Sequence, residues 1–122
     1  KWWRDYYSYL YGLPMNLKDE GTRWDKQAQM TKFQNKKVWG VRVTYSPEVG
    51  NDIWYFYFDV NTFALVGYRF YHDEKANDGE YIVLENMEIK GNLRIPKERT
   101  WYTNQDKMLL GKDLLVNIKI YE

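Results

Sequence analysis

A mainly β protein is what this chain predicts: a curved antiparallel meander, half-barrel-like, of about six or seven strands with one N-terminal helix. Three observations carry that expectation. From Gln27 onward the side chains alternate with a period of two, the spacing of a half-buried strand. Short turn segments separate the alternating runs and leave no room for crossover helices, so neighbouring strands run antiparallel. Rings are abundant, with 6 Trp, 12 Tyr and 5 Phe. Such side chains pack well on a pleated surface.

Trp2 to Tyr11 reads as the helix. Trp3, Tyr6, Tyr7 and Leu10 recur at the spacing of one helical face. Gly12 can end it and Pro14 blocks its continuation. The helix either packs on the sheet or lies as a lid over an apolar groove. Lys18 to Thr22 reads as a loop. Gln27 to Phe33 is the first strand and Gln34–Lys37 a polar turn. Val38 to Tyr45 follows, with Trp39, Val41, Val43 and Tyr45 on one face and Gly40, Arg42 and Thr44 on the other. Ser46 to Asp52 holds Pro47 and Gly50 and is a loop.

Ile53 to Asp59 is apolar on both faces, the mark of a central strand covered on both sides. Trp54, Phe56 and Phe58 share one face; Ile53, Tyr55 and Tyr57 share the other. Asp59 to Thr62 is a turn held by side-chain bonds to backbone N–H groups. Ala64 to His72 returns, with Val66, Tyr68 and Phe70 on one face. A charged loop spans residues 73–79. Tyr81 to Ile89 and Leu93 to Thr103 form the next hairpin, and Pro96 belongs at an edge or a bulge because it cannot donate a ladder bond. The last strand is read over Leu114 to Ile120.

Composition excludes several classes. Lys+Arg number 18 and Asp+Glu 17, interspersed along the strands, which argues against nucleic acid as a partner. No run approaches the roughly 18 apolar residues of a membrane-spanning helix. There is no Cys and one His, so thiolate sites and histidine metal clusters cannot form within the chain. His72 beside Asp73 is weak evidence for acid–base chemistry and reads as a surface residue. Asp73, Glu74, Asn77 and Asp78 could offer oxygens to calcium, but their spacing fits no EF-hand loop and reads as a solvated tip. No catalytic residue, metal or cofactor is expected.

What remains is the aromatic surplus. Trp54, Phe56, Phe58, Tyr68 and Phe70 on the sheet, with Trp3 and Tyr7 from the helix, are the candidate ligand-binding residues. Their ligand would be a lipid or another apolar molecule on a concave face. The competing reading is a structural or protein-interaction module whose rings simply fill the core and whose edge strands recruit a partner.

Several segments resemble a bacterial family of unknown function: residues 6–15, Tyr45 to Asp52 leading into residues 54–59, Ala64 to Asp73, and Ile95-Pro96-Lys97 with Trp101-Tyr102. Its members are similar to exported, often lipid-anchored proteins of the cell envelope. The pattern Phe58-Asp59-x-Asn61-Thr62-x-x-Leu65-Val66 resembles the outer-membrane lipoprotein carrier (LolA/LolB-like) superfamily, as does Gly91-x-Leu93-x-Ile95-Pro96. Val60 departs from the proline usual at its position. The resemblance implies a half-barrel that holds acyl chains and no enzymatic activity. It also implies one domain over residues 1–122, the C-terminal part of a longer exported protein of the bacterial periplasm or cell envelope, lipid-anchored in full length.

Overall fold

The computed structural model describes Leu10, residues 13–119 and Tyr121. Among these residues one antiparallel sheet of eight strands dominates. The strands are β1 (Thr22–Trp24), β2 (Gln29–Phe33), β3 (Lys36–Tyr45), β4 (Ile53–Asp59), β5 (Leu65–Tyr71), β6 (Glu80–Lys90), β7 (Leu93–Thr103) and β8 (Leu109–Leu114). A single 3-10 turn, Met15–Lys18, precedes them. The helix expected over Trp2 to Tyr11 lies outside the described residues, Leu10 excepted.

From β2 to β8 each strand pairs with its successor, as a meander requires. β1 and β2 divide the free edge of β3 between them: β1 takes Val43 to Tyr45 and β2 takes Lys36 to Gly40. β1 is the strand the sequence did not announce, because three residues are too few for a period to register. The β2–β3 turn uses Gln34 (φ 51°) and Asn35 (φ 63°), the two positive-φ positions that match a hairpin's twist. Asp59 holds the β4–β5 turn as expected. Its Oδ1 accepts from the Asn61 N–H at 2.8 Å and the Thr62 N–H at 2.9 Å.

Both faces of the sheet are apolar. The first carries Val43, Trp54, Phe56, Leu65, Tyr68, Ile82 and Leu84, covered by Leu10 and Leu17, with Leu13 packed alongside. The chain before β1 therefore supplies the lid on this core. The second face carries Phe33, Val38, Tyr57 and Tyr81, with Tyr55 and Tyr102 beside them. Phe33 stacks on Tyr57 at 4.5 Å, and Tyr81 stacks on Tyr102 at 5.0 Å. Burial pushes the Tyr57 phenol up to about 12.

One glycine makes the second face possible. Phe33 sits on β2 and Gly67 on β5, three strand spacings apart, about 14 Å on a flat sheet. Yet a Cβ at Gly67 would lie 2.2 Å from Phe33 Cε2. The β2–β3 hairpin therefore leans over this face and lays the Phe33 ring across Gly67. The same Cβ would meet the Ile82 carbonyl oxygen at 2.7 Å.

Two expectations need correction. Val66 was grouped with Tyr68 and Phe70, but the register shifts between Tyr57 and Phe58. Val66 is the extra residue, so it packs with the second cluster while Tyr68 and Phe70 stay with the first. The last strand was placed over Leu114 to Ile120. It ends at Leu114, residues 115–119 form no strand, and Ile120 lies outside the described residues. The reason is Pro96. The register pairs Glu98 with Leu114, and Leu115 still donates to the Lys97 carbonyl at 2.7 Å. The next position on β7 is Pro96, which has no N–H to extend the ladder. Pro96 thus lies past the reach of β8, at an edge as expected, and Val116 is 87% exposed.

Gly67→Ala is expected to destabilise the protein by roughly 1–3 kcal/mol, as overpacking does. In a Phe33→Ala background the penalty should shrink without vanishing, because the Ile82 carbonyl remains in the way. Urea denaturation of the four proteins of this cycle measures both effects.

Candidate functional site

At one end of the first face the core is incomplete. The β4–β5 turn and the β6–β7 hairpin enclose a cavity of about 430 Å³ there, within the range of small-ligand sites. Leu10, Leu13, Leu65, Tyr68 and Leu84 form its apolar floor, and Phe63, Met87, Arg94, Pro96 and Arg99 line the rest of it with Pro14, Thr62 and Ala64. No acidic residue appears among the described residues that line it. Arg99 is buried and donates through Nη1 to the Pro96 carbonyl at 3.4 Å. Arg94 is exposed.

Phe63 is the unusual member. It is 68% exposed and has φ of 58°, a conformation that bulky residues rarely adopt. The turn holds it there from several sides. Phe63 N–H donates to the Asp59 carbonyl, and Asp59 N–H donates to the Ala64 carbonyl, each at 2.9 Å. The Thr62 and Asn61 N–H donors also keep the Asp59 carboxyl below its ordinary value. Residues held in such conformations cluster at functional sites.

The seven sequence candidates divide. Trp54, Phe56 and Tyr68 are buried in the first core, with Phe58 and Phe70 half-buried against it. Trp54 packs on Phe56, Tyr68 and Phe70 at ring distances of 5.9, 5.9 and 5.0 Å. Of these five only Tyr68 lines the cavity. Trp3 and Tyr7 lie outside the described residues. The sequence reading missed Phe63, Arg94 and Arg99. Alternation could not have joined Leu84 to Met87 or Arg99 to Pro96, since each pair is three residues apart. The change of side falls at Asn86 (φ 55°), between the pairs Glu85↔Glu98 and Met87↔Pro96.

The residues weighed for other chemistry are occupied. His72 Nδ1 bonds to Asp52 Oδ1 at 2.6 Å, not to Asp73. The Asp78 carboxylate accepts from the backbone N–H groups of His72 and Asp73, and Asp73 accepts from that of Lys75. These carboxylates hold the loop's own backbone. Among the described residues no group of three His, Cys, Asp or Glu could hold a metal ion, and no helix is long and apolar enough to cross a membrane.

The family of unknown function DUF6503 matches residues 1–118. The chain belongs to this family. No curated protein and no solved structure matches it. Within this DUF6503 chain the cavity is lined from the segment before β1, the β4–β5 turn, β5, β6 and β7.

The Asp52 bond, with Asp78 and Glu80 nearby, raises the His72 pKa above its usual value. The stability it contributes is fully present below the unfolded value of about 6.5 and is lost as pH rises through the folded one. The pair is exposed, so the contribution is less than about 1 kcal/mol. Wild type should exceed His72→Ala in urea midpoint at pH 5.5 and converge with it by pH 9.

Proposed function

We propose that this domain is a non-enzymatic binding protein whose cavity takes an apolar ligand bearing an anionic group, such as a fatty acid or an acidic lipid. The observation that carries this reading is the lining: an apolar floor beside the exposed Arg94, with no carboxylate among the described lining residues. An acyl chain would replace water over Leu65, Leu84 and Tyr68, where each buried methylene contributes about 0.8 kcal/mol. Its headgroup would meet Arg94, which can grip a carboxylate or phosphate with two parallel bonds. Exposed Phe63, Met87 and Leu93 form an apolar approach. The sheet is read as half-barrel-like, with the segment holding Leu10 and Leu13 as its plug. The resemblance to lipoprotein carriers favours the bacterial periplasm or cell envelope as the compartment.

Native mass spectrometry of protein taken from cells, and titration of delipidated protein with a fluorescent fatty acid, test this. Saturable binding displaced by palmitate is expected. Arg94→Glu should raise Kd about tenfold or more, about 1.4 kcal/mol, while the exposed site leaves folding intact. No co-purified lipid together with no uptake would sink the proposal.

A second reading rests on a different observation. β8 is an edge strand, and Leu109, Leu110 and Leu114 on it are 61%, 48% and 60% exposed. An unprotected apolar edge recruits another strand. In this reading the domain is an interaction module that pairs through β8. Analytical ultracentrifugation should then show self-association that Leu110→Lys abolishes; a monomer at all concentrations, with no partner gained, removes it.

A further inference from the structure

In an antiparallel meander, alternate turns fall at the same end of the sheet. The β2–β3, β4–β5 and β6–β7 turns therefore share one end, and the 46–52, 72–79 and 104–108 loops share the other. We infer that the first end docks on the surface of an anionic lipid bilayer, with apolar side chains of the hairpin tips entering it and lysines of the tips meeting its headgroups. It rests on the lipid reading above only for the purpose that docking would serve.

Charge is the first observation. It is segregated along the strands, although the whole chain carries a net charge of only +1. The three hairpin tips hold Lys32, Lys36, Lys37, Lys90, Arg94 and Lys97, with Asp59 and Glu88 as their acids. Glu88 lies 3.6 Å from Lys90 and 3.5 Å from Lys97, one carboxylate between two ammonium groups. Lys32 and Lys37 stand directly opposite each other across β2 and β3, a pairing that is destabilising by itself and that an anionic surface would relieve. The next acids, Glu85 and Glu98, face each other at the base of the β6–β7 tip, where Lys112 is 3.8 Å from Glu98. The far end of the sheet is acidic. Carboxylates there, Asp52, Asp73, Asp78 and Asp106 among them, outnumber Lys75 and Lys107. A molecule charged this way turns its basic end toward a negative surface.

The second observation is apolar. β5 pairs with β6 only as far as Gly67↔Val83, and β8 with β7 only as far as Glu98↔Leu114. Beyond Glu85↔Glu98 the strands β6 and β7 pair only with each other, ending at Lys90↔Leu93, a free ribbon about 17 Å long. On it Ile89 is 63% and Leu93 40% exposed, and neither belongs to either core. Phe63 is exposed at the same end. Exposed apolar side chains among bases suit the headgroup region of a bilayer, which takes the first into its acyl boundary and pairs with the second. A soluble acidic partner would satisfy the lysines and leave Ile89 and Phe63 wet. The exposed lining residues of the cavity, Phe63, Met87 and Arg94, lie at this end, so docking sets its mouth against the lipid.

Cosedimentation of the whole chain with vesicles tests this. One set is phosphatidylcholine alone and the other phosphatidylcholine and phosphatidylglycerol in equal parts. Binding to the mixed vesicles should be about tenfold tighter or more, and added salt should weaken it. Lys36→Glu with Lys37→Glu, and separately Ile89→Asp, should each weaken it about tenfold or more. All three positions are exposed, so the fold survives. Both variants should take up palmitate as wild type does, which separates failure of docking from failure of the cavity reading. The chain has no Cys, so Ile89→Cys and Val49→Cys can each carry one polarity-sensitive dye. The dye at 89 should shift to the blue on mixed vesicles, and the dye at 49, on the far end, should not. Absence of binding, equal binding to pure phosphatidylcholine, unchanged binding by either variant, or a shift at 49 in place of 89 would overturn the inference. So would soluble polyglutamate that binds as tightly as the vesicles with no shift at 89, since the partner would then be an acidic protein.

Discussion

Strand β4 carries rings on both sides, and every other part of the fold answers to that. Trp54 and Phe56 point one way, Tyr57 the other, and all three are buried. A lone sheet of eight strands has no second layer to supply that cover, so the chain finds it elsewhere. On the first face the residues before β1 do it, with Leu10 and Leu17 fully buried. On the second face the sheet covers itself. The β2–β3 hairpin leans over, Phe33 stacks on Tyr57, and Gly67 gives the ring its space. A side chain at Gly67 would lift the hairpin and expose Tyr57 and Val38 together.

Cover of this improvised kind stops short at particular places, and the cavity and a small polar groove on the second face are such places. The segment before β1 reaches Tyr68 and Leu84 but leaves the cavity beside the β4–β5 turn and the β6–β7 hairpin. The hairpin reaches across Tyr57 at its tip, while a small polar groove remains beside Gly40 and Asp25, whose N–H donates to the Arg42 carbonyl of β3 at 3.0 Å. A two-layer protein would close both gaps with its second layer.

Much of the sheet was legible because alternation is a direct consequence of pleating. β4, β7 and the β2–β3 turn stand where the pattern placed them. The failures come from single residues that alternation does not describe. The extra Val66 moved one side chain to the other face. Asn86, with its positive φ, brought Met87 and Leu84 to one cavity. Pro96 removed the N–H that would have carried β8 onward. Of these only the proline announced itself. The five candidate rings on the sheet share a face, but alternation says which side a ring is on, not whether anything covers it. Phe63 and the arginines were invisible for the same reason, since they gain their meaning from where the hairpins end.

Charge pairing is what separates the two gaps in the end. Both contain arginine, and an arginine by itself says little about a ligand. Arg42 is satisfied within the fold by Glu74 and Asp25, so its field is cancelled where a ligand would sit. Among the described residues that line the cavity holding Arg94 there is no carboxylate, and apolar walls strengthen whatever field a charge has there. On the proposed reading, the same side chain makes the groove a poor home for an anion and the cavity a good one. An acidic residue placed at the cavity, for example at Thr62, would make the two electrostatically alike. On the proposed reading the apolar floor would still take an uncharged lipid, while selection of an acidic headgroup would be lost.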